Sequence, residues 1–248
     1  MNITDKTILV TGGGSGIGFE IARLFSKKGN RVIITGRHEQ RLKEAAAQLD
    51  NVDYVAADIT REQDLDNLVA FVTLSYKGLD VLINNAATTN IYSLGAAGAY
   101  EKAKNEIETN YLSVISLTER FLPILERQPE SAIVNMNAII GLTPSVHMPT
   151  HSASKSALRA YTQVLRYTLE GAGSKVKIFE VIPPLVNTEF SRPIAKGTGI
   201  PPEEVAQALL EGLKSNTLEI RIGRTEQFYQ AFFKGTEGAL AALNALRK

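Results

Sequence analysis

The stretch Thr11-Gly12-Gly13-Gly14-Ser15-Gly16-Ile17-Gly18 stands between an apolar segment and an amphipathic one. Residues 7–11 are rich in β-branched side chains, which is typical of a buried strand. Residues 17–25 place apolar side chains on one helical face, and residues 27–29 favour an end to that helix. Glycines between a strand and a helix let an anion approach backbone N–H groups. The stretch predicts a cradle for a dinucleotide pyrophosphate, with a plain strand-to-helix turn as the alternative, because its Gly-x-x-x-Gly-x-Gly spacing differs from the strict Gly-x-Gly-x-x-Gly pattern.

Short apolar segments and longer helical patterns alternate along the rest of the chain. Strands are predicted at Thr7–Thr11, Arg31–Thr35, Val52–Ala56, Val81–Asn84, Ala132–Met136, Val176–Ile182 and Leu218–Ile222. Helices are predicted after the glycines, after Thr60, and at 39–49, 101–127, 152–170, 202–214 and 226–245. This alternation is typical of βαβ units around a parallel sheet covered on both faces. We therefore expect one doubly wound α/β domain of Rossmann type over residues 1–248, with a seven-stranded, mainly parallel sheet and helices on both faces.

Local signals predict the ends of some elements. Thr60 and Gln63 have the spacing of a capping box ahead of the third predicted helix. The Gly- and Ala-rich residues 95–99 and the Pro- and Gly-containing residues 190–201 are expected to be mobile connections.

Composition argues against several classes of function. Lys and Arg total 27 against 26 Asp and Glu, so the net charge of +1 gives no electrostatic reason to expect nucleic acid or an acidic membrane surface as a partner. The chain has no cysteine, and its three histidines lack metal-ligand spacing, so no metal site is expected. The first residues do not have the pattern of a leader sequence, so none is expected, and no apolar run approaches the ~20 residues that span a bilayer. A soluble cytoplasmic protein is expected, with small molecules and copies of itself as partners.

Further motifs follow the later strands. Asp58-Ile59 comes after the third predicted strand, Asn84-Asn85-Ala86-Ala87 after the fourth, and Asn110 within the next long helix. Ser154-Lys155-Ser156-Ala157-Leu158 lies early in the helix after the fifth strand, and Pro183-Pro184-Leu185-Val186-Asn187-Thr188 follows the sixth strand. From residue 5 to about residue 190, this ordered set resembles the short-chain dehydrogenase/reductase family. The pattern most resembles a bacterial subgroup named for its association with D-alanine transfer to teichoic acids.

The resemblance implies a bound nicotinamide dinucleotide. The implied cofactor-binding residues are Gly12, Gly14, Ser15, Gly16, Ile17, Gly18, Arg37, Asp58, Ile59, Asn85, Ala86, Lys155, Pro183, Val186 and Thr188. In the family, Asp58-Ile59 would lie against adenine and the loop at 183–188 would close over nicotinamide. Pro184 departs from the family's glycine and is expected to stiffen that loop, because proline fixes φ and lacks an N–H.

Arg37 bears on which dinucleotide is preferred. An acidic residue after the second strand would bind a ribose 2′-OH, whereas an arginine accommodates a 2′-phosphate. NADP(H) is therefore the expected cofactor, with NAD(H) as the alternative and a plain surface arginine as the other interpretation of Arg37. Ser15 weakens the preference, because many NADP(H)-preferring relatives carry a basic residue there.

The resemblance also implies a catalytic set of serine, tyrosine and lysine, supported by asparagine. Tyrosine transfers the proton, lysine holds ribose and lowers the tyrosine pKa, and serine binds the substrate oxygen. Lys155 and Asn110 match this set, whereas His151 stands at the tyrosine position and Ala138, thirteen residues earlier, stands at the serine position. Loss of one such hydrogen-bond donor costs about 10²–10³ in rate. Asn137 is expected to point to the other face of the strand and to compensate only in part.

His151 is the candidate proton-transfer group. An unperturbed histidine has a pKa of ~6.5, and Lys155 one helical turn away disfavours the imidazolium. The ring is expected to be mostly neutral near pH 7, and any carbonyl reduction is expected to accelerate below about pH 6.5. A helix-start histidine without a chemical role is the alternative. Ser152-x-x-Lys155 also resembles a serine-lysine nucleophile pair, although its partner motifs are absent.

Three functions fit these residues. The chain is an NADP(H)-dependent oxidoreductase of carbonyl or alcohol substrates with altered activity, a dinucleotide-binding module, or a catalyst that uses His151 for proton transfer alone. An apolar substrate wall or ordinary loop anchoring is expected from Tyr92, Leu94, Leu142, Val146, Met148 and Phe190. Family members commonly pair through the helices predicted at 101–127 and 152–170, so a homodimer or homotetramer is expected.

Overall fold

A parallel sheet flanked by helices forms the centre of the computed structural model, which describes residues 1–76, 78–195 and 197–245. The strands of this part of the chain are β1 (Thr7–Thr11), β2 (Arg31–Gly36), β3 (Val52–Ala56), β4 (Val81–Asn84), β5 (Ser131–Met136), β6 (Val176–Ile182) and β7 (Glu219–Arg221). The helices are α1 (Gly16–Ser26), α2 (Glu39–Ala46), α3 (Glu62–Ser75), α4 (Ala99–Ile107), α5 (Ser113–Leu125), α6 (Pro149–Gly171), α7 (Arg192–Ala195), α8 (Pro202–Ser215), α9 (Thr225–Lys234) and α10 (Thr236–Ala245).

The strand order is β3-β2-β1-β4-β5-β6-β7, and every pairing is parallel. The predicted α/β fold with a seven-stranded sheet is thus confirmed, and the sheet is parallel throughout. The order reverses direction between β1 and β4, so the loops after these two strands diverge and leave a crevice at their carboxyl ends.

The central strands are buried on both faces because alternate residues of β1, β2, β4, β5 and β6 enter two separate cores. On β1, Val10 belongs to the core that contains Phe25 of α1, whereas Leu9 belongs to the core that contains Phe121 of α5. The side chains of Phe25 and Phe121 are fully buried. Burial of such side chains contributes about 1.5–3 kcal/mol each relative to exposure, and it fixes the strand ends that carry the site.

Several element ends differ from those predicted. The predicted capping box is wrong: α3 begins at Glu62, the Thr60 hydroxyl donates to Asp58 Oδ1 at 2.8 Å, and Gln63 bonds Asn67. The helix predicted at 152–170 begins earlier, at Pro149, because proline suits the first helical turn. The helix predicted at 226–245 is two helices that meet at Gly235, a poor helix former.

Smaller differences concern the remaining ends. The helix predicted at 39–49 ends at Ala46, β2 continues to Gly36, β5 begins at Ser131, and β7 is limited to Glu219–Arg221. The predicted connection at 190–201 contains the short helix α7 and a bridge between Val186 and Ile200, while its Lys196 lies outside the described residues.

A π-helical turn at Glu108–Leu112 interrupts the long helix predicted at 101–127. This turn separates α4 from α5 and contains Asn110, whose side chain is fully buried. π-Turns are wider than α-helical turns and occur frequently at functional sites. The turn lets the Asn110 side chain leave the helix toward Thr88, after β4.

Within the described ranges, no helix combines the length and the hydropathy that crossing a membrane requires.

Candidate active site

A cleft of about 400 Å³ lies at the carboxyl ends of the strands, where β1 and β4 diverge. Most of the residues predicted to bind a cofactor line it: Gly12, Gly14, Ser15, Gly16, Ile17, Arg37, Asp58, Ile59, Asn85, Ala86, Lys155 and Thr188. Gly18, Pro183 and Val186 are buried behind the cleft wall instead. The walls come from six strand ends and from α6, which agrees with a ligand held at the switch in strand order.

The glycine turn after β1 forms the floor of the cleft. Gly12 has a φ of 66°, in the left-handed region that favours glycine, and its N–H donates to Thr35 O at 2.7 Å. A Cβ on Gly18 would overlap the Gly12 carbonyl oxygen and lie 2.6 Å from Asn85 Nδ2. Gly18 therefore serves the turn from beneath, by allowing α1 to pack against it.

The N-terminus of α1 faces this turn without a side-chain cap, since Ser15 makes no capping hydrogen bond. The first N–H groups of a helix lack partners within the helix and favour an anion. A Cβ on Gly16 would lie 3.2 Å from Thr188 Cγ2, so the loop after β6 lies directly against the turn. An uncapped helix end over a glycine floor fits the pyrophosphate of a dinucleotide.

Asn85 ties the end of β4 to the end of β1. Its Nδ2 donates to Thr11 O at 2.8 Å and to Gly12 O at 3.3 Å. The backbone N–H groups of Asn85 and Ala86 donate to Thr11 Oγ1 at 2.9 and 3.0 Å. The Asn85 side chain thus holds the two walls of the cleft together.

The far end of the cleft contains both acidic and basic groups. Asp58 accepts hydrogen bonds from Thr60 through Oδ1, and its backbone N–H donates to Asp64 at 2.8 Å. Arg37 is exposed at the cleft edge. Arg41, which no sequence motif indicated, lies four residues further on, in α2, and pairs with Glu189 at 3.3 Å. The spacing of four residues between Arg37 and Arg41 is the sequence feature that could have indicated a second arginine at the cleft.

Asn110 connects the loop after β4 with the first turns of α6. Its Oδ1 accepts from Thr88 N at 2.8 Å, and its Nδ2 donates to Thr88 O at 2.9 Å and to Ser154 Oγ at 3.0 Å. His151 Nδ1 lies 3.0 Å from Thr88 O and 3.2 Å from Asn110 Nδ2. Since both Asn110 amide hydrogens have other acceptors, Nδ1 carries the ring proton and donates it to Thr88 O. Nε2 is then the unprotonated nitrogen, and it bonds no described residue.

The His151 ring is held neutral mainly by its surroundings. It is 5% exposed, and burial lowers its pKa to about 3, with a smaller contribution from the Lys155 charge and an opposing one from Thr88. A neutral ring near pH 7 was predicted, but from Lys155 alone; burial has the larger effect. The predicted rise in reduction below about pH 6.5 stays a prediction, and with a His151 pKa of about 3 that rise should continue into much stronger acid.

Lys155 lies beneath the cleft and is 4% exposed. Its Nζ donates to Met136 O at 2.7 Å, at the end of β5. Burial lowers the Lys155 pKa to about 8, and the charge of Glu180 opposes that change. The ammonium retains further N–H donors that can serve a ligand in the cleft.

Ala138 and Asn137 follow β5 and face differently. Ala138 is half-buried and offers no polar side-chain atom. Asn137 is turned away from His151: its Nδ2 donates to Lys155 O at 3.1 Å and to Glu180 Oε1 at 2.6 Å, while its Oδ1 accepts from Ala138 N. Asn137 therefore cannot replace the absent serine hydroxyl, even in part.

The serine-lysine nucleophile pair does not form. Ser152 Oγ donates to Met148 O at 2.8 Å and accepts from Ser145 N at 3.0 Å. Lys155 Nζ bonds Met136 O instead. Ser152 thus stabilises the loop before α6.

The predicted apolar wall is only partly formed. Tyr92, Leu142 and Met148 are buried, whereas Leu94 and Val146 are 77% and 58% exposed. Phe190 lines the cleft and its ring centre lies 6.1 Å from that of His151. Of the six residues, Phe190 is therefore the one that lies both at the cleft and near the His151 ring. Leu94 and Val146 do not form part of the predicted wall, because an apolar residue in an exposed loop need not be buried.

Comparisons with known proteins agree with this geometry. A sequence profile described as short chain dehydrogenase matches residues 6–199. The chain is 34% identical over 233 residues to "Uncharacterized oxidoreductase DltE" of Bacillus subtilis strain 168, covering 91% of each chain. It is 29% identical to an uncharacterized oxidoreductase of Staphylococcus aureus strain USA300, over 85% of this chain and 92% of the relative.

Two solved structures share the fold. A short chain dehydrogenase from Burkholderia cenocepacia J2315 in complex with NADP aligns with a TM-score of 0.85, 27% identity and 98% of each chain covered. A short chain dehydrogenase/reductase from Burkholderia phymatum in complex with NAD aligns with a TM-score of 0.83, 21% identity and 89% of each chain covered. The chain therefore belongs to the short-chain dehydrogenase/reductase family of NAD(P)-dependent oxidoreductases and is related to B. subtilis DltE.

Proposed function

We propose that this protein is an NADP(H)-dependent oxidoreductase of a small carbonyl or secondary alcohol substrate, with proton transfer restricted by Ala138 and His151. The observation that carries this proposal is the course of the cleft from the uncapped α1 terminus to Lys155. A bound nicotinamide dinucleotide supplies hydride donation or acceptance. This chain must then bind the substrate oxygen and manage its proton.

In this proposal, different cleft residues bind different parts of the cofactor. The turn at Gly12–Gly18 holds the pyrophosphate, while Asp58 and Ile59 lie against adenine and Lys155 holds the nicotinamide ribose. Ala86, Pro183, Val186 and Thr188 shape the nicotinamide end. Asn85 supports the site by tying β4 to β1.

NADP(H) is preferred because two arginines, Arg37 and Arg41, reach the edge of the cleft after β2. Guanidinium groups bind phosphate through paired N–H donors. The NADP found with the Burkholderia cenocepacia relative supports the preference, whereas NAD occurs with the other relative. Glu189 opposes the preference, since its carboxylate pairs with Arg41.

Replacement of Arg37 by alanine tests the cofactor preference. The unmodified protein should bind NADPH more tightly than NADH, and Arg37→Ala should weaken NADPH binding about tenfold while leaving NADH unchanged, because a hydrogen bond to a charged group contributes about 1.5–3 kcal/mol. Fluorescence titration measures both affinities. Arg127→Ala, at an exposed arginine outside the cleft lining, is the matched control. Equal or tighter NADH binding by the unmodified protein would refute the preference.

His151 sets the direction of proton movement in this proposal. With Nδ1–H donated to Thr88 O, Nε2 is the atom that accepts the proton of an alcohol. Carbonyl reduction needs the opposite transfer, from an imidazolium. At pH 7, about four units above the His151 pKa of about 3, roughly one ring in ten thousand is protonated. Reduction should therefore be slow near neutral pH.

A second candidate function is a dinucleotide-binding module without turnover. It is supported by an intact glycine turn, by an alanine at position 138, and by a His151 ring that rarely carries the proton needed for reduction. Proton transfer by His151 without a cofactor reaction is the third outcome to be tested.

Cofactor absorbance with panels of carbonyls and alcohols distinguishes these functions. Reduction rates should rise about tenfold per unit decrease in pH between pH 7 and 5, and alcohol oxidation should be nearly independent of pH there, because Nε2 stays unprotonated. His151→Ala should abolish the rise of the reduction rate with falling pH and should slow alcohol oxidation. A flat profile for reduction, unchanged by His151→Ala, would remove His151 from the mechanism. Binding without turnover would support the module, and cofactor-independent chemistry lost in His151→Ala would support the third function.

We further propose that the chain forms a single cytoplasmic domain that assembles as a homodimer or homotetramer. Exposed apolar side chains on the helices predicted to pair support the assembly: Leu112, Val164 and Tyr167.

A further inference from the structure

Glu180 is a carboxylate in a strand whose other buried residues are apolar. It lies on β6, and its side chain is fully buried. Burial raises its pKa to about 7. An ionised carboxylate inside a protein is costly unless it is paired and hydrogen-bonded. The side chain therefore requires partners, and these lie directly behind the active site.

Two donors hold the Glu180 carboxylate. Arg159 Nη1 lies 2.7 Å from Oε2, and Asn137 Nδ2 lies 2.6 Å from Oε1. Arg166 of α6 also favours the ionised form, whereas Glu219 of β7 disfavours it. With the positive neighbours on α6 and the Asn137 amide, the Glu180 pKa is about 7, so the group is mostly a carboxylate only above neutral pH.

The same contacts connect Glu180 to Lys155. Asn137 Nδ2 donates both to Glu180 Oε1 and to the backbone oxygen of Lys155 at 3.1 Å. Arg159 follows Lys155 by one helical turn on α6, so Glu180 lies against the segment that carries the lysine. Its negative charge opposes the effect of burial on Lys155 and thus raises the Lys155 pKa.

The ion pair with Arg159 is not a sufficient reason for a buried carboxylate at position 180. Its Nη2 also contacts both oxygens of Glu219, at 3.3 and 3.4 Å, so the guanidinium has a second carboxylate partner. Lys155 has no such alternative: its Nζ bonds the Met136 carbonyl oxygen, and Glu180 is the carboxylate whose charge acts on it.

We infer that Glu180 is the buried counter-charge that keeps Lys155 cationic, and that it is a positioning residue for the nicotinamide end of the cleft. The inference rests on the proposed role of Lys155. The Lys155 ammonium has three N–H donors, of which one is used by Met136 O. Glu180 preserves the remaining donors for the ribose without touching it.

Glu180→Gln tests this inference by removing the charge and keeping the shape. In protein with ¹³Cε-labelled lysine, NMR titration without cofactor should show the Lys155 pKa lowered by about 1, with the resonance assigned by its loss in Lys155→Met. At pH 8 the cationic fraction of Lys155 should then fall from about a half to about a tenth. NADPH affinity should accordingly fall up to about fivefold at pH 8 and remain unchanged at pH 6.

Glu219→Gln is the matched control, because Glu219 shares Arg159 and lies outside the cleft lining. It should leave the Lys155 pKa unchanged. An unchanged Lys155 pKa in a folded Glu180→Gln protein, or an equal change in Glu219→Gln, would overturn the inference.

If Glu180→Gln does not fold, the Lys155 titration curve of the unmodified protein must show an inflection at the pH where the ¹³Cδ signal of Glu180 titrates. Absence of this inflection would overturn the inference. Loss of turnover or of cofactor binding would refute the proposed function alone, since the NMR titration needs neither.

Discussion

Replacement of Ala138 by serine and His151 by tyrosine together should raise carbonyl reduction at pH 7 by at least about 100-fold. The serine hydroxyl supplies a donor to the substrate oxygen, which Asn137 cannot supply because its amide faces Lys155 O and Glu180. The tyrosine supplies a longer proton donor whose pKa the neighbouring Lys155 charge can lower from ~10. Initial rates of NADPH oxidation with a carbonyl panel measure the effect.

Ala138→Ser with His151→Phe is the matched control, since phenylalanine fills the same space as tyrosine without a hydroxyl. It should regain little of the rate. The two repairs should be non-additive because they act on one oxygen. In the double variant the tenfold rise in reduction per unit decrease in pH should disappear, and Lys155→Ala should weaken cofactor use in either background. A double variant that binds NADPH but is no faster than the unmodified protein would contradict this assignment of Ala138 and His151.

Gly18→Ala should cause the largest loss. The new methyl group would overlap the Gly12 carbonyl oxygen and approach Asn85 Nδ2 to 2.6 Å, so α1 must move away from the glycine turn. Overpacking of this kind costs about 1–3 kcal/mol of stability. We expect NADPH affinity to fall at least about tenfold, because the helix N-terminus and the turn N–H groups would no longer share one anion site. Thermal unfolding and fluorescence titration measure the two effects.

Gly171→Ala is the control for glycine replacement in a helix. A Cβ at Gly171, the last residue of α6, has no heavy atom of its surroundings within 4 Å. That variant should keep both stability and NADPH affinity, with a gain of about 0.4–1 kcal/mol in stability if the alanine restricts the unfolded chain. Equal behaviour of the two variants would show that the Gly18 contact does not shape the cradle.

The sequence predicted the parts of the fold that follow from local pattern. Strands such as Val81–Asn84 begin as continuous apolar segments, and the glycine turn lies between a strand and a helix in a parallel sheet, where few alternatives exist. The predicted cap at Thr60 was wrong because the Thr60 hydroxyl donates to Asp58, and this hydrogen bond competes with one to the helix end.

In the candidate site, too, the residues in local motifs were predicted, whereas those that depend on long-range contacts were not. Residues in motifs, such as Gly12, Asn110 and Lys155, occupy the cleft or its immediate support. Arg41 and Glu180 were missed because their roles depend on long-range contacts, with Glu189 and with Asn137 respectively. The strong effect on the His151 pKa also depends on burial, which a sequence does not quantify.

The π-helical turn at Glu108–Leu112 fixes the number of residues that the chain can have around Asn110. An α-helix rotates about 100° per residue, so removal of one residue from this turn would restore a regular helix and rotate everything before it by that angle relative to α5. The Asn110 amide would then leave Thr88 and His151, and Glu106 would leave Asn90. Substitutions on the outer surface of this helix are therefore compatible with the site, whereas insertions and deletions are not, and its length is under a constraint that side-chain chemistry alone does not reveal.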